Sequence, residues 1–345
     1  MTFSVHRFEP PSFVPHRWRR GGHLQTLLAP RATMGMIEWQ KLSTQIKSEK
    51  HRLPVSEGDT LILHDDMPAP WVESPRGSVL LLHGICGCHA ADYMVRFTRR
   101  LLAIGVRVFR LDMRGCGESV AFCRGITHAG RSDDVLAAIE FIASLTSDRG
   151  TPIGAVGTSL GGNQLLRAAG RVGAGLDARP SYWDRVGPIV AIAPPIDLQA
   201  CSDRMEAWSL RFYNHYFITQ LLRRAKSTLQ MREELGGLLD GRAPKTLREF
   251  DRRITAPMAG FADERSYYAE SSAHSVVEQI DVPALIVTAA DDPLVPVDSF
   301  VALRERLRES TRVLTMPTGG HHGYTQLDGT AWTDELIAKF YDAAW

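Results

Sequence analysis

The sequence predicts an α/β fold, a mostly parallel central sheet flanked by helices with a helical insertion, and three observations carry that expectation. Short apolar runs alternate with longer stretches of helical period from residue 78 onward. One such run, 152–159, leads through Gly157-Thr158-Ser159-Leu160-Gly161 directly into a helical stretch. The span between the strand predicted at 186–195 and the one predicted at 282–290 far exceeds a single crossover helix, so further structure is inserted there.

Taken in order, "DTLILHD" (59–65) is assigned to an antiparallel edge of the sheet. "SVLLLHG" (78–84) reads as a buried strand and "VRVFRLDMRG" (106–115) as the next. Between them Tyr93, Phe97, Leu101 and Leu102 fall at helical spacing and Gly105 supplies the stop, which makes one β-α-β unit. "DDVLAAIEFIASL" (133–145) predicts a helix, "PIGAVGTS" (152–159) a strand and "LGGNQLLRAAG" a helix. Strands follow in "VGPIVAIAPP" (186–195) and "VPALIVTAA" (282–290). The end of the chain predicts a helix in "SFVALRERLRES", a short strand in "TRVLTMP" (311–317) and a closing helix in "TDELIAKFYDAAW".

At 345 residues the chain has room for one large domain with an insertion or for two ordinary domains. The first is expected: residues 1–197 and 276–345 form the core and 198–275 a helical cap insertion. Within it, Trp208, Phe212, Phe217 and Leu221 lie close to one helical face, ahead of Arg223, Arg224 and Lys226. That pattern reads as a cap helix packed on the core in preference to a helix lying on a membrane surface.

Composition narrows the function classes. Hydrophobic residues at 44% and charged residues at 23% are those of a globular chain, and a net charge of +1 offers no electrostatic case for nucleic acid. Small molecules are the expected partners. The first residues, "MTFSVHRFEPPSFVPHRW", lack a signal-peptide apolar region, and no stretch is apolar enough to span a bilayer. Five cysteines, Cys86, Cys88, Cys116, Cys123 and Cys201, leave at least one unpaired, which fits a reducing compartment; a cytoplasmic location is expected. Cys86, Cys88 and His89 have no second Cys/His group at zinc spacing, so neither a metal nor an organic cofactor is expected.

The glycine-flanked Ser159 fits G-x-S-x-G, the turn that lifts a nucleophilic serine above an α/β sheet, and the strand before it and helix after it supply the context. A serine hydroxyl needs a base, and the base needs a third group to hold its tautomer. The strand 282–290 runs into Asp291-Asp292-Pro293, and "RVLTMP" runs into Gly319-Gly320-His321-His322, in the chain order this arrangement uses. Either aspartate is placed to serve. Asp292 is favoured because Pro293 and Pro296 suggest a turn that presents it. His321 is the expected base and His322 its rival. The oxyanion donors are expected to be the backbone N–H groups of Leu160 and of Ile85, the latter following His83-Gly84, with His83 tying down its loop. Arg114-Gly115-Cys116-Gly117 reads as a turn, Asp133 or Asp134 as a helix start, and Tyr267-Tyr268 as packing residues beside the insertion.

Together, "GGHLQTLL", "HGICGCHAADYM", "MRGCGES", "THAGRSDD", "GTSLGGNQLL", "EFDRRITAPMAGFADERSYY", "AADDPLVP" and "GGHHGY" resemble the YheT-like branch of the α/β-hydrolase superfamily, which also contains membrane-anchored animal lipases. The resemblance runs from about residue 9 to the end of the chain. It implies an α/β-hydrolase fold and a serine hydrolase that cleaves short-chain esters or monoacylglycerols without a cofactor, with the family's triad falling on Ser159, Asp292 and His321. The chain departs from the family where Ile85, Cys86 and Cys88 replace a glutamate and serines, and where "GGHLQT" replaces Asn-Pro-His-Leu-Gln-Thr. The animal relatives' amino-terminal anchor is not expected. An acyltransferase or thioesterase would share the triad, and a non-catalytic ligand-binding protein is the alternative from another class. A dehalogenase or epoxide hydrolase would need a carboxylate at residue 159.

Overall fold

A computed structural model describes residues 3–30, 46–68, 75–146, 150–229, 237–238 and 240–345. Its strands are β1 (Ile46–Pro54), β2 (Thr60–Pro68), β3 (Ser78–Leu82), β4 (Arg107–Asp112), β5 (Ile153–Thr158), β6 (Val186–Ile192), β7 (Ala284–Ala289) and β8 (Thr311–Met316). They join in one sheet in the order β1-β2-β4-β3-β5-β6-β7-β8. The β1–β2 and β2–β4 pairs are antiparallel and every pair from β4 to β8 is parallel. Strands β3, β5 and β7 are buried along their whole length, as continuous apolar runs covered on both faces must be.

Alternation along the strands divides the core between two faces. Leu80, Leu82, Phe109, Leu111, Ile153 and Ile286 pack with α3 (Ser132–Leu145) and α4 (Leu160–Gly173), giving one apolar layer. Val79, Leu81, Val108, Val156, Leu285 and Val287 pack with α2 (Asp92–Ala103) and α8 (Trp332–Ala344), giving the other. A short helix, α1 (Gly22–Leu27), precedes the sheet. Between β6 and β7 the chain forms α5 (Leu198–Met205), α6 (Arg211–Leu229) and α7 (Glu264–Ser271), with shorter helical turns between them.

Three local expectations change. The edge strand is β1, unforeseen because only Ile46 and Leu53 of its nine residues turn inward; "DTLILHD" is antiparallel but lies one place inside the edge. "SFVALRERLRES" is helical only over Asp298–Val301 and continues as turns with i to i+3 bonds. Its buried residues Phe300 and Leu303 sit three apart, a spacing that the tighter turns satisfy. In the insertion, Trp208 is 76% exposed and Phe212 is also exposed. Trp208 lies in a separate turn ahead of α6, and Tyr213 takes the inward position beside Phe212, with Ile218 and Ala225 continuing the buried face. Phe217 and Leu221 do pack inward.

Arg114, expected only to mark a turn, is fully buried. Its guanidinium donates to both oxygens of Asp134 at 2.8 Å and to Asp59 at 2.9 Å, tying the loop after β4 to α3 and to the residues before β2. Removing one partner of such a buried set strands the other charges. Arg114→Ala is expected to destabilise the fold by about 3–5 kcal/mol, read from urea unfolding; a change below about 1 kcal/mol would contradict this account.

Candidate active site

The backbone at Ser159 is set by a conformation that L-residues resist, φ 52° and ψ −119°. Its N–H donates to Ile192 O at 2.8 Å and its carbonyl accepts from Asn163 N at 3.1 Å, so the turn is held from the neighbouring strand and from α4. The flanking glycines are required by space. A Cβ on Gly157 would lie 2.4 Å from Gly161 O, and one on Gly161 would lie 2.6 Å from His83 O. The hydroxyl therefore stands at the carboxyl end of β5, in the middle of the parallel strands.

Asp292 follows β7 and His321 lies in the loop after β8, and the fold brings both to Ser159. His321 Nε2 lies 2.9 Å from Ser159 Oγ, and its Nδ1 lies 2.9 Å from Asp292 Oδ2. All three residues are buried. Asp292 Oδ1 accepts from the N–H groups of Leu294 and Val295, so the turn expected around Pro293 fixes the carboxylate. His322 points away, its ring 5.4 Å from Tyr93, and burial together with the neighbouring His321 pushes it down to about 3.

Asp291, left without a role by the sequence, holds the histidine loop. Its carboxylate accepts from Gly319 N and Gly320 N at 2.9 Å and from Thr318 Oγ1 at 2.5 Å. The "GGHLQT" segment, which had no assigned role, is the other support. Thr26 Oγ1 accepts from His321 N at 2.9 Å, and Gln25, fully buried, exchanges hydrogen bonds with the backbone of Thr325. Gly22 sits so close to Asp291 O that a Cβ would come within 1.6 Å of it. This glycine and the buried glutamine were the only signals available, and neither names its partner from sequence.

Ile85 lies in the loop after β3, whose Gly84 backs onto Ser159: a Cβ there would lie 3.2 Å from the serine Cβ. Hydrogen bonds among the described residues leave the N–H groups of Ile85 and Leu160 without a protein acceptor. The loop is held on several sides. Gly84 N donates to Tyr93 Oη at 2.7 Å, His83 Nε2 accepts from Met113 N at 3.2 Å, and Arg224 Nη2 from α6 donates to Cys86 O and Gly87 O. His83 thus has the loop-tying role expected of it. Farther along, buried Asp112 accepts from His89 N and from Glu118 N, and both His64 and His89 reach it with a ring nitrogen. Burial alone would raise the Asp112 carboxyl, yet these hydrogen bonds outweigh it and hold the group well below the usual carboxylate range. Cys88, His89 and Asp112 bring donor atoms within 4.8 Å of one another, so they could gather a metal ion, but as placed the carboxylate is engaged by these donors.

Above Ser159 and His321 opens an apolar cleft lined by Leu198, Met205, Phe217, Leu294 and Val295. A second, smaller chamber adjoins it and shares Ile85, Leu160, Asp251 and Tyr267 as a common wall. Tyr267 and Tyr268, expected to be packing residues, both pack and line the first cleft. Asp251 is the buried acid between the chambers. It accepts from Thr255 Oγ1 and Tyr268 Oη, and burial raises its carboxyl to about 6.

Three buried imidazoles make the fold sensitive to acid. His83 is pushed down to about 4 by burial, His128 down to about 3 by burial and then by Arg131, and His322 likewise down to about 3 by burial and then by His321. The unfolded chain binds these protons near about pH 6.5 while the folded chain refuses them, so stability is lost as pH falls from that value toward 4 and below. Asp251 works in the opposite sense, its raised value favouring the fold at low pH and losing that advantage as pH rises through 6. The melting temperature is expected to fall between pH 7 and pH 4, and His128→Gln to flatten the fall. A profile that is level, or unchanged by the substitution, contradicts the assignment.

Comparison with known proteins bears on the family and the fold. The chain is 29% identical over 338 residues to "Putative esterase YheT" of Escherichia coli (strain K12), covering 94% of this chain and 91% of that protein. It is 26% identical to "Phospholipase ABHD3" of Mus musculus (96% and 78% covered). It is 28% identical to "Medium-chain fatty acid ethyl ester synthase/esterase 2" of Saccharomyces cerevisiae (76% and 61% covered). Among solved structures, the esterase Pf2001 of Pyrococcus furiosus superposes with a TM-score of 0.58 at 16% identity, over 89% of this chain and 94% of that one, a likeness of fold. The resemblance to YheT read from the motifs holds across the chain. The profile described as alpha/beta hydrolase fold matches residues 77–326, well over half of the sequence, and the chain belongs to that family.

Proposed function

We propose that the protein is a serine hydrolase that cleaves carboxylic esters through an acyl-enzyme. The observation that carries this reading is the single imidazole of His321 spanning Ser159 Oγ and Asp292 Oδ2, each at 2.9 Å. In the first half-reaction Ser159 Oγ attacks the ester carbonyl while His321 Nε2 takes the hydroxyl proton, and the carbonyl oxygen becomes an oxyanion between the N–H groups of Ile85 and Leu160. Collapse expels the alcohol, which receives the proton from His321. Water then repeats the sequence on the acyl-serine, releasing the acid and restoring the hydroxyl. Asp292, held by two backbone N–H groups, keeps Nδ1 protonated and stabilises the imidazolium that forms.

The apolar cleft supports an acyl group as its occupant, and the helical segment between β6 and β7, the cap expected over 198–275, would form its roof. The names of the relatives point to acyl esters as well. Transfer of the acyl group to an alcohol is a second reading, favoured by the yeast relative named as both synthase and esterase. It differs only in what attacks the acyl-serine.

Hydrolysis of p-nitrophenyl esters from acetate to palmitate tests the first reading, with Ser159→Ala as the matched control. Turnover is expected in the parent and a loss of at least about a thousandfold in the variant, with the preferred chain length reporting the cleft. Equal rates in both would reject Ser159 as the nucleophile. His321→Ala is expected to abolish turnover and His322→Ala only to weaken it, and the reverse order would reassign the base. With ethanol added, ethyl ester outpacing free acid would favour acyl transfer.

A further inference from the structure

The stretches 10–37 and 207–232 lack any acidic residue, in a chain whose acidic and basic residues nearly balance overall, 39 against 40. Both are rich in arginine and in aromatic or leucine side chains. The fold brings them together. His23 of α1 stacks on Tyr213 of α6 with ring centroids 5.8 Å apart, and its Nδ1 lies 3.2 Å from Tyr213 Oη. Around this junction large apolar groups stand in solvent. Trp18 is 85% exposed, and Leu24, Leu27 and Leu28 are exposed beside it. Across the junction Trp208, in the turn ahead of α6, and Phe212 and Tyr216, four residues apart on α6, are exposed as well.

The charges beside these rings are mostly cationic, with exposed Glu206 at the margin. Arg17 precedes Trp18 and Arg20 lies two residues after it, both exposed, and exposed Arg211 lies with its guanidinium 4.3 Å above the Trp208 ring. Exposed tryptophan and leucine rimmed by arginine is the composition that settles at the headgroup level of a membrane, the rings at the apolar boundary and the cations on anionic headgroups. The same helix that carries the Phe212–Tyr216 stripe outward turns Phe217 inward to the wall of the cleft above Ser159. No helix among the described residues is long and apolar enough to cross a membrane, so contact through this face would be peripheral.

We propose that this arginine–tryptophan face docks the protein on the surface of an anionic lipid bilayer. Docking places the mouth of the cleft against the layer from which an acyl ester would enter. That consequence rests on the ester-hydrolase reading, whereas the docking itself does not. The substrate class it selects is esters resident in, or partitioned into, a bilayer.

The test is co-sedimentation of this 345-residue chain carrying Ser159→Ala with vesicles of phosphatidylglycerol and phosphatidylcholine in equal parts, and with vesicles of phosphatidylcholine alone. Using the serine variant separates the two readings, because binding then depends on no turnover. Partition onto the anionic vesicles at least about tenfold above the neutral ones, weakening with salt, is expected. Trp18→Ala/Trp208→Ala/Phe212→Ala and Arg17→Gln/Arg20→Gln/Arg211→Gln should each reduce it at least fivefold with unchanged thermal melting, as substitutions of exposed side chains. Absence of binding, equal binding to both vesicle types, or binding undiminished in both triple variants would overturn the proposal. So would dimerisation in the absence of lipid that the aromatic triple variant abolishes, since the face would then belong to a second copy.

Discussion

Everything at the site is arranged around a backbone turn that the chain would not adopt by itself. Ser159 at positive φ costs about 1–3 kcal/mol relative to a relaxed residue, and the turn persists because its surroundings leave no alternative. The neighbouring strand takes its N–H, the next helix takes its carbonyl, and the glycines at 157 and 161 let strand, loop and helix approach closely. A fixed hydroxyl is useful only if the imidazole is equally fixed. His321 comes on a loop with Gly319 and Gly320, which has little rigidity of its own. Asp291 accepts three hydrogen bonds from that loop, and Thr26 and Gln25 pin it from outside the sheet. Two adjacent aspartates therefore divide the work, Asp292 touching the ring and Asp291 holding the loop that carries it.

Much of this was legible in the sequence where a local pattern carries the physics. Continuous apolar runs announced the buried strands, and the glycine spacing around Ser159 announced the elbow. Asp292 and His321 followed from strand ends in the right order. What could not be read was partnership across long separations. The polar face of β1 hides its place in the sheet, because a strand covered on one side by so few apolar residues resembles a loop. Trp208 and Phe212 face outward because, at about 100° per residue, they stand about 180° and 140° round the helix from Phe217, and Trp208 lies in a separate turn besides. Arg114 looked like a turn residue because its two carboxylates come from segments that only the folded sheet brings near.

The cleft is apolar, and its few polar groups are correspondingly consequential, because low dielectric strengthens whatever dipoles are fixed there. Arg224 spends its donors on the carbonyls of Cys86 and Gly87, which stiffens the loop presenting the Ile85 N–H. The thiols beside it are chemically quiet. Burial pushes Cys86 up to about 11 and Cys116 up to about 12, so neither is a thiolate near neutral pH.

The clamp between Gln25 and Thr325 joins residues 300 positions apart. Contacts of such separation form late, since the entropy of closing the intervening loop must be met before they give anything back. During synthesis the segment bearing Ser159 leaves the ribosome long before the one bearing His321, while Thr26 and Gln25 wait with no loop to grip. A nascent chain can thus hold most of its sheet and still lack an oriented imidazole, so hydrolytic competence arrives as the last act of folding.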